Sequence, residues 1–275
     1  MFNRVINNFL FRYIFFFALS LMVGCTSENA EFKRKMDALA KNRETRAREK
    51  IEQLREAAEQ GYVEAQCLLG NHYYYNNFGR PLDDQNREEA IKWFRMAAEQ
   101  EHAEAQYCLG SCLENPAEKR EWFLKAAEQG HVHAQYELGN NYRYYKLGLG
   151  VPQDAEDAVN WLRKAAEQGH AGAQQLLAGH YFDGDGVPQD KVKAVEWWRK
   201  AANLNDDNAK YRLGECYYDG EGVPQDKAEA VKWFGGLSQK SYPHAMYLIA
   251  ECYFNGEGVP QDKAKAVEYF RKAAD

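Results

Sequence analysis

Ala209–Gln239, AKYRLGECYYDGEGVPQDKAEAVKWFGGLSQ, reads as a helix, a Gly/Pro loop and a second helix, and versions of it run through most of the chain. Ala209, Leu213, Gly214 and Tyr217 fall at steps that keep small and apolar residues on one helical face. The loop Asp219–Asp226 carries two glycines for unusual dihedrals and Pro224 to stiffen its exit. Asp226 stands where a helix N-cap belongs, with Glu229 three residues on, ahead of Ala230, Val231, Trp233 and Phe234. Two short helices bury little by themselves, so the pattern predicts stacked neighbours whose apolar faces merge into one core.

Working outward, the first-helix alanine recurs as Ala65, Ala105, Ala134, Ala173, Ala209 and Ala245, at intervals of 40, 29, 39, 36 and 36 residues. Four residues after it stand Leu69-Gly70, Leu109-Gly110, Leu138-Gly139 and Leu213-Gly214, with Leu177-Ala178 and Ile249-Ala250 keeping the column small. Glycine costs a helix up to about 1 kcal/mol; its recurrence predicts a close helix crossing. The second helices carry Trp93-Phe94, Trp122-Phe123, Trp161-Leu162, Trp197-Trp198, Trp233-Phe234 and Tyr269-Phe270, most of them followed by an Ala-Ala pair. A large residue opposite small ones fills a thin helical layer. Ile51–Gln60, with Leu54, Ala57 and Ala58, reads as a lone second helix that caps the array.

These units resemble Sel1-like repeats, relatives of the tetratricopeptide repeat, in AQYELGNNY, DGDGVPQDKVKAVEWWRKAA, DGEGVPQDKAEAVKWF and NGEGVPQDKAKAVEYFRKAAD. The resemblance covers about Glu49 to Asp275 and implies an all-α fold, a right-handed α/α solenoid of helix-turn-helix repeats that serves as an adaptor in protein complexes. Some cysteine-rich relatives are described as binding or hydrolysing β-lactams. Two units depart from the pattern. Ser111–Lys119 replaces the glycine loop with Leu113-Glu-Asn-Pro116-Ala, predicting a tight turn, and Gly235-Gly236 predicts a helix that stops early or bends.

The N-terminus is a separate matter. Tyr13–Val23, YIFFFALSLMV, has the length and composition of an export-signal core and ends in Met22-Val23-Gly24-Cys25. That ending resembles a bacterial lipoprotein processing site, in which the signal (1–24) is removed and Cys25 carries the lipid. An uncleaved anchor is the other reading. Both expect an exported chain in the bacterial cell envelope; Thr26 after Cys25 resembles the outer-membrane members, facing the periplasm. Residues 25–48 form a charged tether and leading helix before a repeat region from 49 to 275, with about six repeats. Apolar residues make up 45% by the broad count, which suffices for a core, and the formal charge of −6 without a recurring basic stripe argues against nucleic acid as a partner.

Candidate chemistry is sparse. Beyond Cys25 lie Cys67, Cys108, Cys112, Cys216 and Cys252, an odd number whose disulfide state spacing does not decide. His72, Cys112, Asn141, His180, Cys216 and Cys252 share one column, seven residues after each marker alanine. Packing between helices, a disulfide and a metal site (weak candidates His180, Cys216 and Cys252) are its three readings. His102, His131 and His170 recur at the second-helix terminus as turn residues, and Asp183-Gly-Asp185-Gly186 lacks the downstream acidic ligands of a calcium loop. No catalytic serine motif, zinc-protease motif or phosphate loop is present, so neither catalysis nor a cofactor is expected. Binding of a protein or peptide remains. The expected surface is the column Gln66, Gln106, Gln135, Gln174, Lys210 and Met246, beside Tyr107, Tyr136, Tyr211 and Tyr247, since tyrosine offers large contact area with a polar tip. Tyrosines packed inside the repeat are the alternative. Tyr73-Tyr74-Tyr75 with Phe78, and Tyr142, Tyr144 and Tyr145, mark a second candidate surface at the ends of first helices.

Overall fold

A computed structural model describes residues 45–75, 84–146, 154–237 and 242–274, and the side chains of all of these but 142–146. Cys25, the signal-like run, most of the tether and Phe78 lie outside the described residues, as do the side chains of Tyr142, Tyr144 and Tyr145. The helices are α1 (45–59), α2 (Val63–Tyr75), α3 (Asp84–Ala98), α4 (Ala103–Cys112), α5 (Pro116–Glu128), α6 (Val132–Lys146), α7 (Ala155–Glu167), α8 (Ala171–Asp183), α9 (Lys191–Asn203), α10 (Asp207–Asp219), α11 (Lys227–Gly235), α12 (Pro243–Asn255) and α13 (Lys263–Ala274). The architecture is an all-α solenoid of helix-turn-helix repeats.

Two compact units are distinguished, Met1–Leu69 and Gly70–Asp275. In the first, α1 runs across the expected tether boundary at residue 48, and the Gln66 amide donates to the Ala58 carbonyl at 3.1 Å. Gln106, Gln135 and Gln174 make the same bond from the next three first helices to the second helix before each.

In the second unit, four helix pairs close on one large side chain of their own second helix, a phenylalanine ring in three and Leu162 in the other. A methyl group built on Gly70 would stand 2.6 Å from the Phe94 ring, on Gly110 2.7 Å from Phe123, on Gly139 2.4 Å from Leu162 and on Gly214 2.4 Å from Phe234. The small column therefore answers to the second residue of each aromatic pair, within one repeat. Where alanine stands, at Ala178, it packs in one cluster with Trp198.

The loop that joins the pair is built the same way three times. Gly184, Gly220 and Gly256 cap the first helix with φ of 75°, 78° and 74°, giving their N–H groups to the carbonyls of His180, Cys216 and Cys252. Gln189, Gln225 and Gln261 each donate at 2.8 Å to a carbonyl near that helix end, Phe182, Tyr218 and Phe254. Asp190, Asp226 and Asp262 then cap the second helix, accepting from Lys193, Glu229 and Lys265 N–H at 3.0 Å.

The second glycine of the loop makes the junction between repeats. A methyl group on Gly186 would stand 2.5 Å from the Ala155 carbonyl, on Gly222 2.3 Å from the Lys191 oxygen, and on Gly258 2.4 Å from the Ala228 nitrogen. Each loop thus lies backbone to backbone on the start of the preceding repeat's second helix. Lys191 bridges to Glu221 at 2.9 Å across this junction, and Lys227 pairs with Glu257 in the next.

Both departures from the pattern have a structural counterpart. α4 ends without a glycine cap; the Arg87 guanidinium of α3 binds the Cys112 carbonyl at 2.7 Å and Glu114 at 2.6 Å instead. Asn115 caps α5 with Pro116 in its first turn. α11 stops at Gly235 after nine residues, as the glycine pair predicts.

Candidate functional site: the first-helix face

The glutamine column is internal, which corrects its assignment to a reader surface. Gln66, Gln106, Gln135 and Gln174 are no more than 5% exposed. Their amides donate at 3.1 Å to the carbonyls of Ala58, Ala98, Ala127 and Ala166, at the ends of the preceding second helices. Met246 in the same column is buried, and Lys210 pairs with Asp207 at 3.0 Å. In two repeats the amide oxygen is also used: Gln129 donates to Gln106 Oε1 at 2.8 Å, and Gln168 to Gln135 Oε1 at 2.9 Å. The residue at the position of Gln129 and Gln168 in the next repeat is Leu204, and Gln174 Oε1 is buried with no partner among the described residues. Sequence reasoning saw a polar residue on a helix and missed that its amide spans two backbone segments.

The tyrosines take a middle course between the two readings. Tyr107, Tyr136 and Tyr211 are half-buried, each laid against the residue that precedes the next first helix. Tyr107 stacks on His131 at 4.7 Å, Tyr136 lies 4.4 Å from His170, and Tyr211 stacks on Tyr242 at 5.3 Å. Tyr247, 43% exposed, rests on Phe270 at 5.6 Å and bonds Glu251 at 2.8 Å. Burial is the main cause that raises the phenols of Tyr107 and Tyr211, so both stay neutral donors. Together with His133 and His244, both exposed, they form an aromatic and imidazole stripe along the first-helix N-termini. Gln175 interrupts it, at the place where its neighbours have tyrosine.

Beside that interruption a cleft opens. Its volume is about 310 Å³, and its lining combines Gln175, Leu176, Gly179 and His180 with the apolar Phe182 and Trp198 and the charged Asp183, Asp185 and Arg212. Gly179 makes the room: nothing lies within 4 Å of where its side chain would be. The equivalent positions are Asn71, Ser111, Asn140, Glu215 and Glu251, each with a side chain. Gly179 was not singled out from sequence because an isolated helical glycine reads as a packing residue.

The His/Cys column is a packing position. Cys112, Cys216 and Cys252 are buried thiols at the last turn of their helices, and Cys67 and Cys108 are buried elsewhere on theirs. Burial pushes the thiol pKa up, to about 11 at Cys112 and about 12 at Cys216, and raises that of Cys252. A thiol held protonated is a poor ligand and a poor nucleophile. His180 turns its Nδ1 to the Asp185 carbonyl at 2.8 Å. Among the described residues no group of three His, Cys, Asp or Glu side chains could hold a metal ion, against the metal reading of His180, Cys216 and Cys252. The histidines His102, His131 and His170 are more than turn residues: they cap α4, α6 and α8 with Nδ1.

The family described as Sel1 repeat matches residues 63–102, 103–131, 132–170, 171–206, 207–235 and 243–275. Among solved structures, the chain is similar to c5321, a protective antigen present in uropathogenic Escherichia coli strains displaying an SLR fold. The identity is 35% and the TM-score 0.72, over 82% of this chain and 48% of that one. This chain therefore spans about half the length of that relative. It is also similar to a Sel1 repeat protein from Oxalobacter formigenes, at 29% identity and a TM-score of 0.61, over 78% of this chain and 86% of that one. No curated protein matches the chain.

Proposed function

This chain belongs to the Sel1 repeat family, and from that premise we propose that it is a non-enzymatic scaffold which grips an extended peptide segment of a partner along the first-helix stripe. The cleft at Gly179 carries this reading. A volume of about 310 Å³ between Leu176, Phe182 and Trp198 suits one apolar side chain, with Asp183 and Arg212 placed to bond the peptide beside it. The Tyr and His rings on either side offer rigid contact area with polar tips, at low entropy cost.

The scaffold is tethered by lipid on Cys25 and faces the periplasm from the outer membrane. Support for this comes from the sequence alone, the apolar run Tyr13–Val23 followed by Gly24-Cys25. Intact-mass spectrometry of the membrane-extracted protein tests it. A chain that begins at Cys25 with acyl additions is the expected result, and an unprocessed Met1 form refutes the anchor.

For the binding site, a photo-crosslinking residue at Gln175 in living cells should capture a partner, and Gly179→Glu should abolish that capture while the helix content is unchanged. Capture that survives Gly179→Glu would remove the cleft from the site.

A further inference from the structure

Three consecutive first helices begin with an imidazole where a carboxylate or hydroxyl is usual. Nδ1 of His131 accepts from Ala134 N–H at 3.2 Å, and Nδ1 of His170 from Ala173 N–H at 3.1 Å; His102 does the same with Ala105 at 3.2 Å. A backbone N–H can only donate, so Nδ1 must be bare and the ring neutral, with its proton on Nε2. The following repeat does it differently: Asp206 accepts from Ala209 N–H at 2.8 Å, and the last first helix, at Tyr242, has no side-chain cap.

Adding a proton reverses the contact. A charged imidazole carries N–H on both nitrogens, aims one at the backbone N–H it had accepted, and sets a positive charge at the positive end of a helix. From this geometry we propose that His170 forms an acid-sensitive joint, which holds the first helix of repeat 171–206 at neutral pH and releases it in mild acid.

The surroundings of the two rings set His170 apart from His131. His170 faces Tyr136 at 4.4 Å and His133 at 5.1 Å. Burial, then the neighbouring His133, lowers its pKa. The unfolded chain therefore takes up this proton first. The cap's contribution is whole above about pH 6.5 and is lost progressively as the pH falls from there through the lower folded-state value. His131 faces Tyr107 at 4.7 Å, His133 at 6.0 Å and the Glu104 carboxylate, which its Nε2 meets at 2.9 Å. His133 itself has Glu137 nearby, a carboxyl whose pKa burial raises. His170 is thus the sensor. The joint is independent of whether the adjoining cleft binds a peptide.

Two measurements on the full chain test this. Long-range 1H–15N spectra of the imidazoles at pH 7.5 should show bare Nδ1 at His131 and His170, and protonated Nδ1 at His180, an internal reference. Thermal unfolding at pH 7.5 and 5.5 should then be compared with that of His170→Asn, since asparagine keeps a cap acceptor that does not titrate. Acidification should lower the midpoint of the original chain by about 2–4 °C more than that of the variant. An equal drop in both, or Nδ1–H on His170 at pH 7.5, overturns the joint. Should the variant fail to fold, titration of the original chain decides: a folded-state His170 that protonates at or above about pH 6.5 overturns it.

Discussion

Leu204→Gln should stabilise this protein, although it replaces an apolar residue with a polar one. Gln174 Oε1 is buried without a partner, whereas Gln106 and Gln135 receive a bond from Gln129 and Gln168. Leu204 occupies the matching position with matching backbone, φ −89° and ψ 14°, against −80° and 3° at Gln129 and −82° and 4° at Gln168. A glutamine there reaches Gln174 with no change of chain path. Leu204 is 53% exposed, so little burial is given up. An unsatisfied buried acceptor costs about 1–3 kcal/mol, and a made bond nets about 1 kcal/mol. A gain of about 1 kcal/mol is expected, which raises the unfolding midpoint by about 2–4 °C. Calorimetry or denaturant titration reads it, with Leu204→Ala as control for the lost leucine. In a Gln174→Leu background the gain should vanish, because the acceptor is gone. If Leu204→Gln gains nothing over Leu204→Ala, or gains equally in both backgrounds, the account of the glutamine chain is wrong.

Other expectations follow from the same contacts. Gln135→Leu removes both a donor to the Ala127 carbonyl and the acceptor of Gln168, and should cost about 1–3 kcal/mol in denaturant melts; a surface reader would cost almost nothing. Gly222→Ala adds a methyl 2.3 Å from the Lys191 oxygen at a residue with φ of 72°, so a loss above about 1 kcal/mol is expected by the same assay. Glu221→Gln, which cuts the half-exposed bridge to Lys191, should shift stability by less than about 1 kcal/mol and less still in high salt. Cys216, buried and with its thiol pKa at about 12, should resist iodoacetamide at pH 8 in the folded chain and label fully in denaturant, as followed by mass.

The repeat, its loop and its caps are legible in Ala209–Gln239 because each is a local matter. A glycine that must adopt positive φ, an aspartate ahead of a helix and a glycine pair that ends one all act within a few residues. What escapes local reading is contact across repeats. Gln135 and Tyr136 are neighbours in sequence, yet one turns inward to a backbone carbonyl and the other lies over the next repeat's histidine. Periodicity marks both as one polar-aromatic face. Within one repeat, too, a contact distant in sequence stays hidden: the small size of Gly70 answers to Phe94, a fact of crossing geometry. The cleft depends on one missing side chain, at Gly179, whose effect appears only once its neighbours are in place.

The loops that carry Gly186, Gly222 and Gly258 all reach back to an earlier repeat, onto Ala155, Lys191 and the Lys227-Ala228 backbone. Contact of this kind has a direction. As the chain grows from its N-terminus, each new loop finds its seat already made, and none must wait for residues not yet synthesised. The array can therefore consolidate in step with its own production, one repeat behind the growing end. A truncated chain that stops between repeats would lose only what came after, and the last intact seat, at the start of a second helix, would be left ready for another loop.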